Sequence, residues 1–271
     1  MLLPRVLTAL VGIPLMLWLI HAGSWPFLGF CVGAALLSLY EYAVLLRLAG
    51  RPIQLVTTVA GGTALAVAVG LGRAGGRAAL GGDLSGLVVA VFLLALMGGE
   101  LFAREHSLER ASSSLFGVFF IGWTLAHLAL LRDLRPYGEG LTYLLFLTIW
   151  LSDTAAYAVG KGLGRTKLAP RVSPGKTWEG AAAGFAAAVA SVTLGRAWFL
   201  REAFGLPLAV GLGVLIGVVG PLSDLAESVI KRAVGAKDSS SILPGHGGFL
   251  DRFDSFLLTA PLMYYAVTLA K

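Results

Sequence analysis

The chain has 271 residues, 57% of them hydrophobic and only 13% charged, with a mean hydropathy of +0.82. Soluble domains carry about 25% charged residues, so this composition excludes an aqueous globule. The formal charge of +6 is scattered among short segments rather than gathered into one stripe, which excludes a nucleic-acid partner.

Apolar windows close to the roughly 20 residues that span a bilayer as a helix recur along the whole chain. They fall at 6–22, 25–46, 54–72, 84–102, 115–131, 141–160, 178–199, 206–230 and 255–270. The pattern predicts an all-α, polytopic integral membrane protein with about nine transmembrane helices. The first window is long for a signal peptide and eight more follow, so it reads as an uncleaved span. Cys31 is the one cysteine and lies inside a predicted span, which excludes an internal disulfide and a cysteine metal site. Abundant Gly and Ala suit helices that approach closely in lipid. The stretch "GRAGGRAALGGDLSG" at 72–86 reads as a flexible loop. With nine spans, fourteen Lys and Arg fall on the side of the N-terminus and seven on the other. The positive-inside rule then places the N-terminus and the two most basic loops in the cytoplasm, the protein lying in the cell (inner) membrane.

Three polar constellations interrupt the apolar pattern. In "LTIWLSDTAAYAVGKGLGRTK", Asp153, Tyr157 and Lys161 are spaced four apart and share one helix face. A carboxylate inside a span is costly and marks a functional candidate; pairing with Lys161 for packing is the competing reading. The segment "KLAPRVSPGKTWEG" at 167–180 contains Gly-Lys-Thr, but a P-loop needs glycine where Pro170 stands. What remains is a basic loop with Lys167, Arg171 and Lys176, stiffened by Pro170 and Pro174 and ending at a predicted helix start that favours anions. A plain topology signal accounts for it equally well.

The third constellation is "GPLSDLAESVIKRAVGAKDSSSILPGHGGFLDRFDS", 220–255. Asp224, Glu227, Ser228 and Lys231 fall at i, i+3, i+4 and i+7 and make one polar stripe. Lys237, Asp238, a serine run, His246, Gly247 and Gly248 follow, and then Asp251, Arg252 and Asp254 where the last span begins. Asp251 and Asp254 suit helix N-terminal acids or caps. Together with Asp224 they also offer the hard oxygen ligands that Mg²⁺ and a polyphosphate require. His246, set beside glycines, reads either as a loop histidine or as a direct participant. No HExxH zinc motif and no GxSxG nucleophile elbow occurs.

The segment 228–254 resembles the signature of the phosphatidate cytidylyltransferases, the CDP-diacylglycerol synthases. Ser228, Lys231-Arg232, Lys237-Asp238, His246-Gly247-Gly248 and Asp251-Arg252-Phe253-Asp254 fill every place of that pattern. "SDTAAY" at 152–157 and "SPGKTWEG" at 173–180 are similar to neighbouring motifs of the same family. Residues 1–140 match in hydrophobic character alone, so they are expected to form scaffold helices, and 141–271 the catalytic region.

The resemblance implies the reaction of CTP with phosphatidate to give CDP-diacylglycerol and pyrophosphate, with Mg²⁺, a monovalent cation (K⁺) in the carboxylate cluster, and a homodimer. On this reading Asp224, Asp251 and Asp254 hold metal, with Asp153 as an additional metal group. Lys231, Arg232 and Arg252 neutralise phosphate charge, joined by Lys176 and Lys237. Ser228 and His246 belong to the substrate site, and Gly247 and Gly248 let backbone approach the triphosphate. Two rivals are a CTP-dependent kinase of polyprenols or other lipid alcohols, and a cation-coupled transporter lined by Asp153, Asp224 and Glu227. The second conflicts with the absence of visible repeat halves in the sequence.

Overall fold

The computed structural model describes residues 2–74, 78–240, 242 and 247–270, with side chains from residue 10 onward except at 24, 73–74 and 78–83. His246 lies outside the described residues, as do 75–77 of the glycine-rich stretch.

Helices dominate, as long apolar runs dictate in lipid, where every backbone polar group must be satisfied internally. They are α1 (Leu2–Ala22), α2 (Ser24–Leu48), α3 (Leu55–Ala74), α4 (Ala78–Leu101), α5 (Leu108–Gly117), a π-helical turn at Val118–Trp123, and α6 (Thr124–Arg132). Then follow α7 (Gly138–Leu163), a hairpin of β1 (Lys167–Ala169) and β2 (Ser173–Thr177), α8 (Trp178–Phe199), α9 (Leu206–Ala233) and α10 (Leu250–Leu269). Among the described residues seven helices are long and apolar enough to cross a membrane, the run Leu108–Arg132 counting as one. Helices occupy all nine predicted windows, but the described apolar part of α1 is short and α10 opens on Asp251, Arg252 and Asp254. The chain is an all-α, multi-pass membrane protein. Its exposed surface agrees: Leu10, Trp18, Leu48, Leu94 and Trp198 are among many large apolar side chains facing outward.

Two expectations change. Most of the glycine-rich stretch 72–86 is helical, forming the end of α3 and the start of α4; glycine is better tolerated in membrane helices than in soluble ones. The basic loop is an antiparallel hairpin, pairing Lys167 with Thr177 and Ala169 with Ser173, with an irregularity between Lys167 and Ala169.

The chain divides into two compact units. The first comprises 1–133 and 233–253, and so takes in part of the signature segment together with the N-terminal helices. Within it, α3 packs against α2, α4, α6 and the π-helical turn. Gly122 of that turn meets Gly62 of α3 so closely that a Cβ on Gly122 would lie 2.6 Å from the Gly62 carbonyl oxygen. At the end of α4, Glu100 is gripped by Arg110 through two bonds (2.7 and 2.6 Å) and by Gln54 (2.8 Å).

The second unit comprises 134–232 and 254–271. Its spine is the α7–α8 pair, joined along a seam of small residues, the expected route to close approach in lipid. A Cβ on Gly180 would lie 2.6 Å from the Ala156 carbonyl, and one on Gly184 3.1 Å from the Ala156 Cβ. The Ser152 hydroxyl donates to the Gly184 carbonyl across the seam at 3.0 Å. On the other side of α8, Gly213 and Gly217 bring α9 against Val189 and Phe185.

Candidate active site

In the second unit, α9 carries Asp224 and Glu227 one turn apart, and α10 brings Asp254 to them. One carboxylate oxygen from each lies within 4.8 Å of the others. Ser223 fixes the two helices in this register. Its hydroxyl donates to the Asp254 carbonyl and accepts from the Leu258 N–H at 3.1 Å. Two lysines lean on the cluster. Lys176, from β2, places its Nζ 2.7 Å from Asp224 Oδ2 and donates to the Pro221 carbonyl at 3.3 Å. Lys231, one turn beyond Glu227, places its Nζ 2.6 Å from Glu227 Oε2, and both residues are buried. Ser228 donates to Asp224 Oδ1 at 3.3 Å, and Asp254 Oδ1 accepts from the Ser255 N–H at 2.6 Å.

Like charges about 4 Å apart repel by about 4 kcal/mol at an effective dielectric of about 20. Among the described residues, two ammonium groups stand beside these three carboxylates. The donor set is all oxygen and comes from two helices held in register, which fits a hard divalent cation that retains several waters.

A cavity of about 640 Å³ adjoins the cluster through Asp224, bounded by α7, the hairpin and the starts of α8 and the polar stretch of α9. Asp153, Tyr157, Lys161, Lys167 and Lys176 line it. Asp153 therefore shares a cavity with Asp224, while Lys161 forms no ion pair with it among the described residues. Lys176 is ion-paired with Asp224 of the cluster. The predicted helix start is present: Thr177 caps α8, its hydroxyl accepting from the Gly180 N–H at 3.1 Å.

The first unit holds Lys237, Gly247, Gly248, Asp251 and Arg252 of the motif. Asp251 is seated among donors of its own unit. Its Oδ2 accepts from the Ser239 N–H (2.9 Å) and the Gly248 N–H (2.8 Å), with the Ser239 hydroxyl also at 2.9 Å. It reaches back to the Gly248 N–H just before α10 and takes up a donor that the helix start leaves without an intrahelical partner. Gly247 and Gly248 serve the same seat. Gly247 has φ +77°, and a Cβ there would lie 2.7 Å from Asp251 Oδ2. A Cβ on Gly248 would collide with Ser239 and Glu41. Both glycines are thus required by a carboxylate of this chain, a reason the triphosphate reading did not contain.

Glu41 of α2, only 2% exposed, is the second acid in this seat. Its Oε1 accepts from the Ser240 hydroxyl (2.7 Å) and the Phe249 N–H (2.9 Å). Its Oε2 accepts from the Leu250 N–H (2.9 Å), with the Ser239 hydroxyl at 2.9 Å. It takes up N–H groups that the start of α10 cannot satisfy itself. Sequence reading confined residues 1–140 to a scaffold and passed over this residue. The usable signal is a carboxylate within an apolar span, the same signal that marks Asp153.

Of the other expected residues, Arg232 is exposed, its Nε donating to the Val172 carbonyl at 3.0 Å and tying α9 to the hairpin. Lys237 and Arg252 are exposed. Glu227, read as part of the stripe but not as a ligand, joins Asp224 and Asp254 in the cluster.

Comparison with known proteins draws these features together. The sequence matches the Cytidylyltransferase family over residues 3–270. It is 36% identical over 261 residues to a protein of Brucella suis, covering 96% of this chain and 91% of the relative. A Synechocystis protein is 33% identical over 291 residues, covering 98% and 96%. A Bacillus subtilis protein is 38% identical over 192 residues, covering 69% and 70%. All three relatives are named phosphatidate cytidylyltransferase. The match runs through both compact units, scaffold helices and acidic cluster alike, and the chain belongs to the cytidylyltransferase family.

Proposed function

We propose that the protein transfers the cytidylyl group of CTP to phosphatidate, releasing pyrophosphate and leaving CDP-diacylglycerol in the membrane. The observation that carries this reading is the lysine-flanked cluster of Asp224, Glu227 and Asp254 in a multi-pass membrane protein of this family. A phosphate oxygen of the lipid attacks the α-phosphorus of CTP, and the bond from that phosphorus to the bridging oxygen of the β-phosphate breaks. The attacking phosphate is already ionised near neutral pH, so no strong general base is needed. Positioning and charge neutralisation carry the reaction.

Asp224, Glu227 and Asp254 would hold Mg²⁺, with Asp153 nearby across the shared cavity. When bound there, the cation supplies positive charge to phosphate oxygens and aligns attacking and leaving groups. Lys176 and Lys231 hold two of the acids in place, and Lys176 reaches from the hairpin to the cavity side of Asp224. Arg232, Lys237 and Arg252, all exposed, are the family signature's further carriers of positive charge; Arg grips phosphate through paired hydrogen bonds that Lys does not make. Asp251, Gly247 and Gly248 order the loop that carries the signature. The resemblance adds a monovalent cation in the acidic cluster and a homodimer. The charge split of fourteen to seven supports a cytoplasmic N-terminus and a cytoplasmic site in the inner membrane.

Labelled CTP supplied to membrane vesicles with phosphatidate and Mg²⁺ tests the reaction and the orientation together. Label from the α-phosphate is expected to enter the lipid, and label from the γ-phosphate to leave as pyrophosphate. Inverted vesicles should react with external CTP and right-side-out vesicles should not. Transfer of γ-label to lipid would instead establish a CTP-dependent kinase, and reaction in right-side-out vesicles alone would reverse the orientation.

A further inference from the structure

The cavity beside the acidic cluster contains more positive charge than the cluster itself uses. Lys161 and Lys167 line it, yet neither forms an ion pair among the described residues. Lys161 stands over the Tyr157 ring, its Nζ 5.6 Å from the ring centroid, which places the ammonium group at the wall rather than leaving it to roam. Lys167 sits on β1 at the register position opposite Thr177, immediately after Lys176 on the paired strand. Lys167 and Lys176 of the hairpin and Lys161 of α7 thus all line one cavity. Gly160 and Gly175 also line the cavity.

At about 640 Å³ the cavity lies within the roughly 300–1,000 Å³ of small-molecule sites, and it exceeds what one phosphate group fills. Its link to the cluster is Asp224, which lines the cavity and belongs to the acid triad at once. A polyphosphate with one phosphate at the cluster would extend its remaining phosphates along the lysines. We propose that this cavity seats the β- and γ-phosphates of the nucleotide, with Lys161 and Lys167 binding the departing pyrophosphate. The inference rests on the cytidylyl-transfer reading. It goes further by assigning the leaving group to residues that neither the signature nor the acidic cluster includes. Pyrophosphate, rather than the lipid phosphate, is the better match because three lysines suit the more highly charged of the two groups.

The test uses purified full-length protein with Lys161→Ala, Lys167→Ala and the matching Lys→Arg variants. For each, the KM for CTP, the KM for phosphatidate and the inhibition constant of added pyrophosphate are measured. Each alanine variant should raise the KM for CTP and the pyrophosphate inhibition constant by about tenfold, the size expected when one charge-assisted hydrogen bond is lost. The KM for phosphatidate should stay within about twofold, and arginine should restore most of the loss. Unchanged constants for CTP and pyrophosphate overturn the proposal. A rise confined to the KM for phosphatidate also overturns it, assigning the cavity to the lipid phosphate. Calorimetric titration of inorganic pyrophosphate with Mg²⁺ into the unmodified protein and the alanine variants keeps the two readings apart. If the unmodified protein fails to move α-label into lipid, the cytidylyl reading falls, while the cavity assignment still stands or falls on whether the alanine variants bind pyrophosphate more weakly.

Discussion

Glu41 and Asp251 in the first unit are surrounded by donors, whereas Asp224, Glu227 and Asp254 in the second face one another. The first pair collects backbone N–H groups and serine hydroxyls from the segment between α9 and α10, each bond between 2.7 and 2.9 Å. The second group has two lysines for three acids. Charge surrounded by fixed dipoles is at rest and serves to hold a shape. Charge crowded against like charge repels, and a cation or the cationic flank of a site is what relieves it. Residue type alone does not separate these roles; the company each carboxylate keeps does.

The sharpest way to break the contrast is to neutralise the crowded acids. Asp224→Asn and Asp254→Asn are expected to lower kcat by about 100-fold or more, the range seen when an electrostatic partner of the reaction is removed. Their thermal unfolding should stay close to that of the unmodified protein, since relief of repulsion offsets lost contacts. Near-normal turnover in either variant would remove that residue from the cation site.

Glu41→Ala should do the converse. It leaves the Phe249 and Leu250 N–H groups and the Ser240 hydroxyl without their acceptor, and each buried unsatisfied group costs about 1–3 kcal/mol. Turnover should fall by about tenfold, with a lower unfolding temperature and faster hydrogen exchange at Ser239, Phe249 and Leu250. Glu41→Gln, which keeps one acceptor oxygen, should lie between. Unaltered exchange in Glu41→Ala would show that the segment holds its shape without this acid.

Ser240→Ala is the smallest step, removing one 2.7 Å bond to Glu41. A loss of about 1 kcal/mol or less is expected, with turnover within about threefold. Combined with Glu41→Gln, it should cost less than the sum of the two, because the changes share a contact.

The helices were legible because an apolar run long enough for a bilayer leaves the backbone few alternatives. The stripe of Asp224, Glu227, Ser228 and Lys231 was legible from helical spacing, and Asp254 from the family pattern. The hairpin was not, because Pro170 and Pro174 in a short polar stretch signal a turn without revealing that Lys167 pairs with Thr177. Asp251 and Asp254 look equivalent three residues apart, yet one caps a helix and the other joins an acid cluster. That division depends on Ser239 and Glu41, partners that periodicity along α10 does not register. Glu41 itself was visible as a charge in a span, but its partners lie about two hundred positions away, beyond the reach of any local pattern.

That separation has a consequence for biogenesis. Glu41 enters the bilayer within α2 when Phe249 and Leu250, which stand 208 and 209 residues later, have not been made. At about 5–20 residues per second, the interval lasts from roughly ten seconds to over half a minute. During it the nascent helix carries a carboxylate that raises the free energy of every intermediate in which it meets hydrocarbon. Until residues 239–250 are made, Glu41 has none of the donors that surround it in the folded chain.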